Sequence, residues 1–85
     1  MQGCELGIYT IKDTKAESYI QPFTFRTDGE AIRAFDDSVN KPDTPIFAHC
    51  EDYTLYRVGT FDVITGVVVP CEHKSLGNGV DFKRS

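Results

Sequence analysis

Thr27-Asp28-Gly29-Glu30-Ala31-Ile32-Arg33-Ala34-Phe35-Asp36-Asp37-Ser38-Val39-Asn40 is the stretch that decides the fold. Thr27 and Glu30 have the spacing of a capping box, in which the threonine hydroxyl accepts from the Glu30 amide while the carboxylate reaches back. Asp28 and Glu30 also suit the positive end of a helix dipole. Ala31, Ile32, Ala34, Phe35 and Val39 then form one apolar stripe, with Arg33, Asp36 and Asp37 off it, and Asn40-Lys41-Pro42 supplies the stop. One amphipathic helix is expected, and the rest of the chain must provide the surface that buries its stripe.

That surface reads as a sheet. Residues 4–12 alternate so that Leu6 and Ile8 share one face while Tyr9 and Ile11 share the other, as in a strand. After the polar turn Asp13–Ser18, the run Tyr19–Arg26 reads as extended chain. Pro22 cannot donate to a ladder, so this strand lies at a sheet edge or begins after the proline. Residues 40–52, with Pro42 and Pro45, read as an ordered crossover loop that pins Phe47 to the core.

Tyr53–Asp62 is rich in β-formers, and Gly59 is a natural bulge position between Val58 and Phe61. Val63-Ile64-Thr65-Gly66 is a short hairpin loop, and Val67-Val68-Val69 returns as a fourth strand ending at Pro70. Turn residues before Val80 and Phe82 leave room for one more short strand, and Lys83-Arg84-Ser85 is expected to fray. The expectation is a single α+β domain spanning 1–85: a small antiparallel sheet of about four to five strands with one α-helix packed on one face.

At 85 residues, one core fits and two do not. A 40% apolar fraction and 26% charged residues indicate a folded protein rather than a disordered one. The formal net charge of −4 argues against a surface wholly devoted to nucleic acid, while a local basic patch remains compatible with it. Cys4, Cys50 and Cys71 form no CxxC pair and no secreted disulfide framework, which points to a reducing cytoplasm. No secretory leader or run of about 18 apolar residues is present, so no membrane association is expected.

Catalysis is not expected either. Cys4, His49, Cys50, Cys71 and His73 are zinc-ligand types, but they lack the paired short spacings of a structural site, and buried thiols with surface histidines explain them more simply. No motif sets a base against a nucleophile or supplies an oxyanion site. Gly77-x-Gly79 lacks the strand-before, helix-after context of a dinucleotide loop. Neither a cofactor nor a metal is therefore expected.

Bases and aromatics do interleave: Lys12, Lys15 and Tyr19, then Phe23, Phe25 and Arg26, then Tyr53, Tyr56 and Arg57. Exposed rings beside cations on a sheet are how single strands are gripped, each stacked base contributing ~1–3 kcal/mol. Against this, a chain without tryptophan needs most of these rings for its core.

Ordered motifs narrow the choice. They are Asp13-x-Lys15-Ala16-Glu17-x-Tyr19, Pro22-Phe23, Arg26-Thr27-x-Gly29-Glu30-Ala31-x-Arg33-Ala34-Phe35, Asp37-Ser38-Val39-Asn40, His49 before Glu51-Asp52-Tyr53-Thr54-Leu55, and Gly59-x-Phe61-Asp62. On these motifs, from about Tyr9 to Gly66, the chain resembles the small non-structural ORF5 or VP5 protein of gokushoviruses, which are single-stranded DNA bacteriophages of the microvirus group.

The resemblance implies a DNA-binding regulator in the host bacterial cytoplasm that turns rolling-circle replication towards single-stranded genome synthesis and packaging. Single-stranded DNA or a phage replication complex would be its partner. Lys15, Tyr19, Phe23, Arg26 and Arg57 are then the expected DNA contacts, cations for phosphates and rings for bases. The alternative is a protein-interaction module that docks on the replication initiator, a host replication protein or the procapsid without touching DNA. The apolar hairpin tip Val63-Ile64 suits self-association or a protein partner, and pairing of a sheet edge points to a homodimer as a candidate state.

Overall fold

The computed structural model describes residues 5–83. Its elements run β1 (Glu5–Asp13), β2 (Ser18–Tyr19), β3 (Phe23–Phe25), α1 (Asp28–Val39), α2 (Pro45–Ala48), a 3-10 turn at Cys50–Asp52, β4 (Tyr53–Asp62), β5 (Val68–Asn78) and a second 3-10 turn at Gly79–Asp81. The five strands form one antiparallel sheet in the order β2-β1-β4-β5, with β3 also pairing with β1. The α+β class, the single main helix and the small sheet are as the sequence indicates.

α1 begins where its cap places it. The Thr27 hydroxyl accepts from the Glu30 amide at 3.1 Å, while the Glu30 carboxylate reaches one residue further back than expected and accepts from the Arg26 N–H at 3.0 Å. The stripe buries Ala31, Phe35 and Val39 against Tyr9 and Ile11 of β1 and Leu55 of β4, with Ile32 packed at the margin. Cys50 and the ring of Phe82, edge-on to Phe35 at 5.7 Å, close the far end.

The second extended segment is interrupted at residues 20–22, so β2 and β3 are two short pieces along the same side of β1. Pro22 thus falls at a sheet edge, as its missing donor requires. The β4–β5 hairpin closes through residues 63–67, with Gly66 at φ 77° and the Asp62 N–H bonded to the Val67 carbonyl at 3.0 Å. Against β1, the register shifts between the Ile8–Gly59 and Tyr9–Arg57 pairs, so Val58 is the bulged residue beside Gly59. That shift lets Arg57 and Thr60 face the helix while Gly59 and Phe61 face away.

Three expectations are corrected. β5 does not stop at Pro70 but continues to Asn78. Counting from the hydrogen-bonded Asp62–Val67 pair, Pro70 opposes Gly59 in a non-bonded position, so its nitrogen points to the free edge and interrupts no ladder bond. Gly79–Asp81 is a 3-10 turn and not a strand, because Asn78 and Asp81 form a reciprocal cap. In the crossover, Ile46 packs on the core, whereas Phe47 lies under Lys83, whose ammonium sits 3.6 Å from the ring centre. Cys4, Arg84 and Ser85 lie outside the described residues.

Candidate functional site

Strand alternation sorts the sheet into a helix face and an uncovered face. Tyr9, Ile11, Leu55, Arg57 and Lys74 face the helix, while Lys12, Tyr19 and Tyr56 lie on the other side with His73. On this uncovered face the three rings form a triangle: Tyr19 to His73 at 5.6 Å, Tyr56 to His73 at 6.0 Å and Tyr19 to Tyr56 at 6.3 Å. The Lys12 ammonium lies 5.8 Å from the Tyr19 ring centre. Tyr19 and His73 are exposed and Tyr56 and Lys12 half-buried, so ring area and a cation are presented together.

The positions that assemble this cluster follow from local chemistry. The Asp13 carboxylate accepts the N–H groups of Lys15 and Ala16 at 3.0 and 3.2 Å, folding the turn that sets Tyr19 opposite Lys12. His73 reaches the cluster because β5 carries Cys71, Glu72 and His73 in the span where β4 carries only Val58. The Thr10 hydroxyl, buried beneath this face, donates to the Ile20 carbonyl at 2.7 Å and ties the β2 end down.

The five residues expected to touch DNA do not share one surface. Tyr19 stands in the ring triangle, and Lys15 is exposed in the adjoining turn. Phe23 packs on the helix face, stacked at 6.2 Å on the fully buried Tyr9. Arg26 is exposed at the β3–α1 junction. Arg57 points into the helix side, donating to Asp28 at 2.8 Å and to the Thr60 hydroxyl at 3.2 Å. Three members of the ring cluster were not among the five: Lys12, Tyr56 and His73. Alternation was the signal for Tyr56, since Tyr56 and Arg57 are neighbours on a strand and cannot face the same way.

Asp28 is the electrostatic hub of the opposite side. One oxygen accepts from the Tyr9 hydroxyl at 2.7 Å and from Arg57, and the other lies 3.6 Å from the Lys74 ammonium. The Tyr9 hydrogen bond first, then Arg57 and Lys74, hold the Asp28 carboxyl below its usual range against the opposing effect of burial. Burial and then the Asp28 carboxylate push the Tyr9 phenol up from 10.0 to about 12. A shallow groove beside this hub, lined by Asp28, Arg57, Glu72, His73 and Lys74 with the exposed Cys71, carries both signs of charge.

This arrangement sets the alkaline stability. The unfolded chain loses the Tyr9 proton near pH 10 while the folded chain keeps it to about pH 12, so stability is full below pH 10 and falls across that window. Two pKa units correspond to about 2–3 kcal/mol. Tyr9→Phe should flatten most of that decline in urea unfolding measured from pH 9 to 12. Tyr53, whose phenol is also raised by burial and by Asp13, leaves a smaller slope.

His49, Glu51 and Asp52 bring potential metal-binding atoms within 4.8 Å of one another after α2. His49 and Glu51 are exposed and Asp52 half-buried, and exposed acids of this kind are common without an ion. Cys50 is buried apart in the core and Cys71 is exposed on β5. Among the described residues no helix is long and apolar enough to cross a membrane.

A five-strand antiparallel sheet with one helix on one face and a ring cluster on the other places the chain among small α+β proteins with an open sheet surface. Over residues 6–82 it matches the family model described as phage ORF5 protein, and it belongs to that family. No match was found among curated proteins or solved structures.

Proposed function

We propose that this phage protein binds single-stranded DNA on the uncovered face of its sheet and so biases replication of a gokushovirus-type genome towards single strands for packaging. The observation that carries the reading is the triangle of Tyr19, Tyr56 and His73 with Lys12 beside it, on the face the helix leaves free. Rings stack on bases of any sequence, and a nearby ammonium meets the phosphates, which is the chemistry of sequence-tolerant single-strand binding. Lys15, in the turn that follows β1, extends the cationic margin of the same end. Phe23 and Arg57, engaged on the helix side, support the fold under the site and not the contact itself.

The test is fluorescence anisotropy of a labelled strand of about 30 nucleotides at two salt concentrations with a duplex control. Saturable binding that prefers the single strand and weakens with salt is expected. Removing Lys12 or Lys15 by substitution to Gln should each lower the salt slope by about 0.7, the per-phosphate value for single strands. Absence of binding at tens of micromolar in low salt would turn the reading to a protein-docking module in the phage replication complex.

A further inference from the structure

Of the segment His49-Cys50-Glu51-Asp52, the core takes only Cys50. Its spacing lacks the paired knuckles by which a zinc site is read in a sequence, and it is the 3-10 turn that gathers the donors. The Asp52 N–H bonds to the His49 carbonyl at 2.9 Å. At three residues per turn, side chains at i and i+3 lie one above the other, so His49 stands over Asp52. With Cys50 turned inward, the His49 imidazole and the Glu51 and Asp52 carboxylates are left together on the outside, their ligand atoms all within 4.8 Å of one another.

Exposed acids alone would not make a site, and three features distinguish this turn. The donor set is mixed, one imidazole nitrogen with two carboxylates. Among the described residues none of the three side chains makes a hydrogen bond or an ion pair, and Lys83, the cation that reaches α2, is engaged by the Phe47 carbonyl and ring. The backbone beneath them is held from both neighbouring segments. The Thr14 N–H and hydroxyl donate to the Asp52 carbonyl at 2.8 and 3.1 Å, and the Asn78 amide donates to the Glu51 carbonyl at 3.1 Å. Gly79 packs so closely that a Cβ there would run into the Cys50 carbonyl. The turn is fixed while its donors are free to close on a ligand.

We propose that His49, Glu51 and Asp52 bind one divalent metal ion of the zinc class. Zinc bonds of about 2.0–2.2 Å to histidine nitrogen and carboxylate oxygen set tetrahedral donors roughly 3.5 Å apart, so the side chains close by only ~1 Å from their present separations. The imidazole favours zinc over magnesium or calcium, whose shells are built from oxygen. Water completes the shell. The ion offsets two carboxylates and cross-links the end of α2, where His49 is the cap, to the start of β4.

Calorimetric titration of the whole chain with zinc chloride at neutral pH, without DNA, tests this. One zinc ion per chain should bind in the micromolar range. His49→Gln and Glu51→Gln, at exposed positions without side-chain bonds, should each weaken binding by at least the roughly 10–100-fold that loss of an outer-sphere partner costs, with unchanged far-UV circular dichroism. Cys71→Ser combined with His73→Gln removes the zinc-ligand types on β5 and should leave the affinity unchanged. Cobalt in place of zinc should show no thiolate charge-transfer band, and magnesium should bind far more weakly. No saturable binding at millimolar zinc, binding that both His49→Gln and Glu51→Gln leave intact, a cobalt thiolate band, or equal affinity for magnesium would overturn the proposal.

Discussion

Replacing Tyr19 and Tyr56 together by alanine should weaken single-strand binding by roughly two orders of magnitude or more, since each stacked base contributes ~1–3 kcal/mol. The salt dependence should stay unchanged, because neither ring neutralises a phosphate. Tyr19 is exposed and its removal should not disturb the fold. Tyr56 is half-buried on β4 beside the Thr10 layer, so its loss is expected to lower the melting temperature by a few degrees while the protein stays folded at 25 °C. Tyr19→Phe and Tyr56→Phe, which keep the rings, should bind nearly as the wild type does. A double phenylalanine variant that lost binding as fully as the double alanine would assign the effect to the hydroxyls and not to stacking.

The second large effect concerns the other face. Asp28→Ala should destabilise the fold by about 3 kcal/mol, because it removes the acceptor of a fully buried tyrosine hydroxyl and leaves the Arg57 guanidinium without its carboxylate. For a domain of this size that is a large share of the ~4–12 kcal/mol holding it folded. Adding Tyr9→Phe to Asp28→Ala should restore about 1 kcal/mol, since the orphaned hydroxyl is then gone. Asp28→Asn should cost less than alanine, as the amide oxygen still accepts from Tyr9. Because the hub lies on the helix side, these variants should retain single-strand affinity at temperatures where they are folded. Urea unfolding of the four proteins, together with anisotropy on each, separates the two faces.

The parts of the fold legible in the sequence were those written in local chemistry. The Thr27 cap, the stripe through Ala31, Phe35 and Val39, the Gly66 turn and the bulge beside Gly59 all stand where their residue types require. The strand past Pro70 was not legible. A proline ends a strand only where its nitrogen faces a partner, and whether it does depends on the register of the β4–β5 pairing, which emerges from the whole hairpin. The crossover misled for a related reason. Ile46 and Phe47 are adjacent apolar residues, and only the short turn of α2 decides that the first meets the core and the second meets Lys83.

The candidate site was half legible. Tyr19 and Lys15 follow from the interleaving of rings and cations, but Arg57 was grouped with them although Tyr56, one position earlier, is the residue that faces outward. His73 carried no signal of its own. It joins the rings because the β5 bulge turns it there, and in the sequence it stood out only as a metal-ligand type beside Cys71.

The most direct test of the central claim is a titration of isotopically labelled protein with a thymine strand of about ten nucleotides, within the length a small site covers, followed by amide chemical shifts. Binding on the uncovered face predicts the largest changes at Lys12, Tyr19, Tyr56 and His73, with the outer side of α1 around Arg33 and Asp37 unmoved. Shifts centred on α1, or none at several-fold excess of DNA in low salt, would contradict it.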